Sequence, residues 1–201
     1  MLQIFLTKIM QIEKHPLSPF FPDKAKWLFL GSFPPKQQRW SMDFFYPNFQ
    51  NDMWRIFGLV FFGDKNYFVD NKKKTFQKEL IINFLTKQGI AMYDTAESVI
   101  RHKDNASDKD LEIIEAVDIG KIIQILPDLQ NIVTTGQKAS ETLINQFAKK
   151  NIQIQAPVVG SHSAFVFENR PLRLYRMPSS SRAYPLSLEK KAEIYERMFI
   201  F

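Results

Sequence analysis

A chain of 201 residues that is 45% hydrophobic and 14% aromatic, with 19 phenylalanines, has apolar surface enough for one packed domain and excludes a disordered chain. The lack of cysteine excludes disulfides, thiolate nucleophiles and cysteine-ligated metal centres; the three histidines, His15, His102 and His162, form no metal-spaced pair, so neither metal nor other cofactor is expected. A formal net charge of +6 favours a polyanionic partner such as nucleic acid, although basic enzymes with small substrates are also common.

Met1 to Met10 is apolar, but Lys8 interrupts the run and no small-residue cleavage site follows, so it reads as a first helix covering the core and not as a signal sequence. No run reaches the about 20 apolar residues that span a bilayer, and a soluble, cytoplasmic protein with no membrane partner is expected. Residues 1–24 read as an N-terminal extension to a single domain over residues 25–200.

Within that domain Trp27 to Ser32 reads as a buried strand stopping at Gly31, followed by a long polar loop, residues 33–47, whose length suggests a functional segment. A helix is expected from Asn48 to Phe62, carrying Met53, Trp54, Ile56, Phe57 and Val60. The basic run Lys72-Lys73-Lys74 then opens an amphipathic helix through Lys87, with Phe76, Leu80, Ile81, Phe84 and Leu85 at helical spacing and Gly89 closing it.

Next come a short strand, Ile90 to Tyr93, and a polar loop, Asp94 to Asp108, whose charges read as a solvated surface. Asp118 caps a helix through Leu126; Asn131 to Thr135 is a strand ending at Gly136, and a helix runs from Gln137 to Lys149. Strands are expected near Val158 to Val159 and Ala164 to Glu168, a turn at Asn169-Arg170-Pro171, and a strand from Leu172 to Met177 that stops at Pro178-Ser179-Ser180-Ser181. Ser187 caps a last helix through Met198, with Glu189 in its first turn. Helices alternating with strands predict a three-layer α/β/α sandwich with its site at the carboxyl edge of the sheet, where the loops after Gly31 and Met177 close on one small planar ligand.

The ordered set Gly31-Ser32-Phe33-Pro34-Pro35, Tyr46 before Asn51-Asp52-Met53-Trp54, Gly89-Ile90 with Tyr93-Asp94, Gly136-Gln137-Lys138, and Met177-Pro178-Ser179-Ser180-Ser181 ahead of Ser187-Leu188-Glu189-Lys190 resembles the uracil-DNA glycosylase superfamily. The likeness is closest to the branch of mismatch-specific uracil-DNA glycosylases and hypoxanthine-DNA glycosylases. It implies a central, mostly parallel four-stranded sheet. It also implies a monomer that flips a deaminated base, uracil or hypoxanthine, out of double- or single-stranded DNA and hydrolyses its N-glycosidic bond without a metal.

Carried over by position, the resemblance makes Asn51 the catalytic residue, orienting water or contacting the base, against the alternative that it caps its own helix. Gly31, Ser32, Phe33, Tyr46 and Ser179 would form the base pocket. Tyr46 would stack on the base, with Phe44 and Phe45 as alternatives for that role or all three as core. Ser180, Ser181 and Arg182 would meet DNA, Ala183 and Tyr184 would be the wedge entering the duplex, and Lys36, Arg39, Lys138 and Arg176 would contact phosphates. A serine-rich turn capping the last helix is the competing explanation of Ser179 to Ser181. The chain departs from the pattern at Phe33, where relatives place a water-activating side chain, which moves the chemistry to Asn51. Asp43 and Asp52 read as solvated, and His162 as structural. A catalytically silent nucleic-acid-binding protein and a hydrolase of free nucleosides or nucleotides remain open, whereas P-loop nucleotide hydrolysis is excluded for want of its glycine-lysine motif.

Overall fold

The computed structural model describes residues 11–103 and 108–199. In chain order its elements are β1 (Ile12–Lys14), β2 (Trp27–Gly31), α1 (Met53–Phe62), β3 (Val69–Asp70), β4 (Thr75–Phe76), α2 (Lys78–Gln88), β5 (Ile90–Asp94), β6 (Ala96–Arg101), β7 (Leu111–Ala116), α3 (Ile119–Ile125), β8 (Asn131–Thr135), α4 (Gln137–Lys149), β9 (Ser161–Phe167), β10 (Arg170–Met177) and α5 (Leu188–Phe199). The helix expected over Met1 to Met10 lies outside the described residues. Among those described, no helix is long and apolar enough to cross a membrane.

The main sheet has the order β5-β2-β8-β10-β9. Its first four strands are parallel; β2, β5 and β8 are apolar runs buried along most of their length, whereas β10 alternates buried apolar residues with arginines. The expected four-stranded sheet therefore has a fifth strand. Glu168 and Asn169 both adopt left-handed backbone conformations, φ 47° and 66°, which turn the chain tightly enough for β9 to run antiparallel along β10. Val158 and Val159, expected as a strand, are exposed and precede it.

Other boundaries move for local reasons. The helix expected from Asn48 starts at Met53, because Asn48 and Asn51 spend their hydrogen-bonding groups on a turn: Asn48 Oδ1 accepts from Gln50 N–H at 2.8 Å and its carbonyl accepts from Asn51 N–H at 2.8 Å. Lys72 to Lys74 do not open a helix. Asp70 accepts from the Lys72 and Lys73 amides at 3.1 and 3.0 Å, making them the turn of the β3–β4 hairpin, and α2 begins only at Lys78. The loop expected from Asp94 contains β6, which pairs with β7 and β1 in a second sheet; register shifts around Ser98 break the alternation that marks a strand in sequence.

Register sets where the site lies. Gly31 pairs with Asp94, Leu30 with Thr134 and Met177 with Thr135, so the four parallel strands end at one level. The chain passes from β2 to β5 on one side and then crosses to β8 on the other. The carboxyl edge between β2 and β8 is thus a topological switch point, the place where open α/β sheets leave a crevice for ligands.

One buried ion pair ties the rim of that crevice to the core. Lys191 of α5, whose side chain is 0% exposed, donates to Asp52 Oδ2 at 2.9 Å and to the Ser181 carbonyl at 2.8 Å. The Asp52 amide donates to the Ser180 carbonyl at 2.9 Å, and the Tyr195 hydroxyl, also on α5, to the Pro178 carbonyl at 2.8 Å. Asp52 is therefore buried where the sequence suggested a solvated residue, because α5 packs on α1 and supplies its counter-charge.

Among the described residues, replacing Lys191 leaves that carboxylate one ion-pair partner, Arg182 Nε at 3.4 Å. Lys191→Met is expected to cost about 3 kcal/mol in urea unfolding, and adding Asp52→Asn to recover part of the loss, because an unpaired buried charge is worse than a neutral pair.

Candidate active site

A cleft of about 970 Å³ opens over the carboxyl edge. It brings together Gly31, Ser32, Phe33, Arg39, Tyr46, Asn51, Lys138, Ser179, Ser180, Ser181, Arg182, Ala183 and Tyr184 from segments far apart in the chain. Two expected contacts are not among them. Lys36 borders a smaller hollow of about 420 Å³ that shares Phe33 to Pro35 with the main cleft. Arg176 is half-buried in β10 and does not line the cleft; among the described residues its enclosed Nε has no hydrogen-bond partner.

Tyr46 is held in a left-handed backbone conformation, φ 50°, and its hydroxyl shares a hydrogen bond of 2.9 Å with Thr135 Oγ1 at the end of β8. Burial, reinforced by the charge of Asp94, pushes its ionisation far above the usual tyrosine range. The ring meets Trp54 edge-on at 6.0 Å, making it a fixed wall of the cleft. Of the two alternatives, Phe44 is buried in the core, and Phe45 is buried but lines the cleft.

Asn51 precedes the N-cap position, Asp52, and its Oδ1 accepts from the first helical amide, that of Met53, at 2.9 Å. Its backbone carbonyl accepts from Arg55 at 3.1 Å, and the Arg55 guanidinium lies over the rings of Phe49 and Phe76, 4.6 and 5.1 Å from their centroids. The side-chain N–H groups of Asn51 are donors it can offer a ligand.

Gly31 is required by a neighbouring carboxylate. A Cβ at this position would run into Asp94 Oδ1, so the missing side chain gives Asp94 its place beside β2. His15 Nε2 holds Asp94 Oδ2 at 2.9 Å; the imidazole is 1% exposed and packs edge-on against Phe33 at 5.3 Å. Phe33 itself is buried with Ala96, Val99 and Leu111 in a small apolar cluster under the cleft wall.

Ser32 Oγ donates to Asp108 Oδ1 at 2.7 Å. Burial raises the proton affinity of Asp108; the Ser32 hydrogen bond opposes that, Asp94 adds to it, and Lys138 and Arg101 oppose it. The cleft lining thus holds the carboxylates of Asp94, at the end of β5, Asp108, from the polar loop, and Glu141 of α4, together with the basic side chains of Arg39, Arg101, Lys138 and Arg182.

In the serine segment, Ser179 Oγ accepts from the Ser181 amide at 3.2 Å and Ser181 Oγ from the Ala183 amide at 3.3 Å, leaving the hydroxyl hydrogens to donate elsewhere. Capping of α5 belongs to Ser187, which accepts from the Lys190 amide at 3.2 Å. Gly136, at φ 107°, lets the β8–α4 turn lie against Ser179. Arg182 is exposed at its end although paired with Asp52, Ala183 is exposed and Tyr184 half-buried. Asp43 is exposed and His162 lies outside the cleft, its ring 4.8 Å from Tyr175 across the β9–β10 pair. Among the described residues no group of three or more His, Cys, Asp or Glu could hold a metal ion.

Asp94, Asp108 and Thr135 line the cleft but are not assigned to the site from the sequence, nor is His15, which stands behind Asp94. Asp94 and Thr135 end apolar strands at the sheet's carboxyl edge, a detectable signal. Asp108 follows a polar stretch with no pattern, and His15 reaches Asp94 only through the pairing of β1 with β6.

No protein-family model matches the chain, and no curated protein matches it either. Among solved structures, the solution structure of a proposed uracil DNA glycosylase from Methanosarcina acetivorans is similar, with a TM-score of 0.58 and 18% identity over 94% of this chain and 99% of that one. The two share a fold over nearly their whole lengths.

Gly31→Ala is expected to displace the Asp94 carboxylate and cost about 1–3 kcal/mol in chemical denaturation, as overpacking of a filled site does. An unchanged unfolding midpoint would show that Asp94 does not need the space.

Proposed function

We propose that the chain is a DNA glycosylase that removes uracil or hypoxanthine from DNA and leaves an abasic site. The carrying observation is the convergence of the Gly31–Phe33 strand end, Tyr46, Asn51 and the Ser179–Tyr184 segment on one cleft at the switch point of the sheet. The shared fold with a proposed uracil DNA glycosylase supports the same reaction class, and the order of motifs favours the mismatch-specific and hypoxanthine branch. A three-layer arrangement of helices about the sheet, a cytoplasmic monomer and a metal-free reaction belong to the same proposal.

In this mechanism the flipped base enters between Tyr46 and the end of β2, stacking on the tyrosine ring. The backbone amides of Ser32 and Phe33 and the side-chain N–H of Asn51 donate to its polar edge, where negative charge grows as the carbon–nitrogen bond breaks. Ser179, Ser180, Ser181 and Arg182 hold phosphates around the extruded nucleotide, Arg39 and Lys138 extend the contact along the backbone, and Ala183 with Tyr184 fills the vacated space. Phe33 supplies an apolar wall and no proton-transfer group.

Single-turnover incubation with oligonucleotides carrying uracil, hypoxanthine or xanthine, single-stranded and in each mismatch, followed by alkaline cleavage, is expected to give strand breaks at uracil or hypoxanthine. Asn51→Ala is expected to slow cleavage about 10²–10³-fold, the usual loss for one donor to a developing anion. Binding without cleavage of any of these substrates would point instead to a silent nucleic-acid-binding protein.

DNA affinity is expected to fall with added salt, and Lys138→Gln to reduce the slope of log affinity against log salt by about 1, the loss of one phosphate contact. A slope unchanged in the variant would remove Lys138 from the interface.

A further inference from the structure

We infer that Asp108 is the group that accepts the proton of the attacking water, taking the place that Phe33 cannot fill. The inference rests on the glycosylase function proposed above. Asn51 is unsuited to this step because an amide oxygen is too weak a base to take a proton from water, and its Oδ1 already accepts from the Met53 amide. Asp94 is unsuited as well: one oxygen is held by His15 at 2.9 Å and the other is packed against Gly31.

Asp108 has the remaining acceptor capacity. Its Oδ1 is oriented by the Ser32 hydroxyl at 2.7 Å, Oδ2 makes no hydrogen bond among the described residues, and the residue lines the cleft beside the base-binding end of β2. Ser32 thus positions the carboxylate from the same strand end that receives the base. Water forms its bond to the anomeric carbon as the carbon–nitrogen bond breaks, and the bonding pair leaves with the base. One water proton passes to Asp108 and from there to solvent or to the departing base.

The charged and titratable groups that act on Asp108 are Asp94 at the end of β5, Arg101 of β6, Lys138 of α4 and the Tyr46 hydroxyl. Burial and Asp94 raise its proton affinity above that of an ordinary carboxyl, which makes it a better base once ionised. Activity requires the ionised form, so the rate falls as pH drops through the raised value. The folded state holds the proton more tightly than the unfolded state, so ionised Asp108 destabilises the fold at neutral pH.

The test uses the full chain in single-turnover cleavage of a uracil- or hypoxanthine-containing oligonucleotide. Asp108→Asn, which keeps an acceptor for Ser32, is expected to slow cleavage about 100-fold or more. Oligonucleotide affinity should stay within threefold and the thermal midpoint should not fall, whereas a purely structural carboxylate would lose stability on replacement. Ser32→Ala removes the hydrogen bond that lowers the proton affinity of Asp108, and is expected to move the acid limb of the rate profile to higher pH. Cleavage by Asp108→Asn within threefold of the unaltered protein, or an acid limb unmoved in Ser32→Ala, overturns the assignment while leaving the glycosylase function standing. Failure of the unaltered protein to cleave any of the substrates overturns both.

Discussion

The Asp52–Lys191 pair is the constraint on which the rest of the cleft depends. Two charges removed from water cost several kcal/mol each unless their remaining hydrogen-bonding groups are met, and here they are met by the backbone of the segment that has to be positioned. Lys191 grips the Ser181 carbonyl, the Asp52 amide grips that of Ser180, and Tyr195 grips that of Pro178. A loop with three successive serines would otherwise have little to hold it. Because Asp52 directly precedes α1, the same contacts also fix Asn51, and through it the wall of the cleft opposite β2.

The cleft lining mixes basic and acidic side chains. Arg39 and Arg182 are exposed where they line it and Lys138 is half-buried, suited to a polyanion, while Asp94 is buried and Asp108 half-buried. Two carboxylates so near each other raise the free energy of the doubly ionised state. The fold offsets this unequally: His15 takes one oxygen of Asp94, and Asp108 receives a serine hydroxyl and the more distant fields of Lys138 and Arg101.

Elements whose signals are local were legible in the sequence. β8 and α4 fall at their expected limits because an unbroken β-branched run, a glycine turn and an amphipathic repeat follow one another without competing choices. Asp118 does cap α3, accepting from the Gly120 and Lys121 amides. The misread stretches are those in which side chains compete with the backbone or pairing breaks alternation. Asn48 and Asn51 delay α1, Asp70 converts the three lysines into a turn, and the irregular register of β6 hides a strand inside an apparent loop. β9 was half visible, since its partner lies on the other side of a turn whose left-handed residues are not glycine.

The gathering of the cleft residues followed the same division. Motifs at the ends of β2 and β10 announce a carboxyl-edge site by themselves, since an apolar strand stopping at a polar loop is a one-dimensional pattern. Their neighbours are set by sheet order. Asp94, Thr135 and Gly31 meet because parallel register stops three strands at one level, and His15 and Asp108 join them through a second sheet. The sequence alone determined an α/β chain, the strand ends that carry the site and a basic surface, because periodicity, strand termination and composition are properties of single segments. Only the tertiary structure decided that Asp52 is a buried brace, that Arg176 is withdrawn and that Asp108 faces the cleft, because burial and pairing depend on which segments pack together.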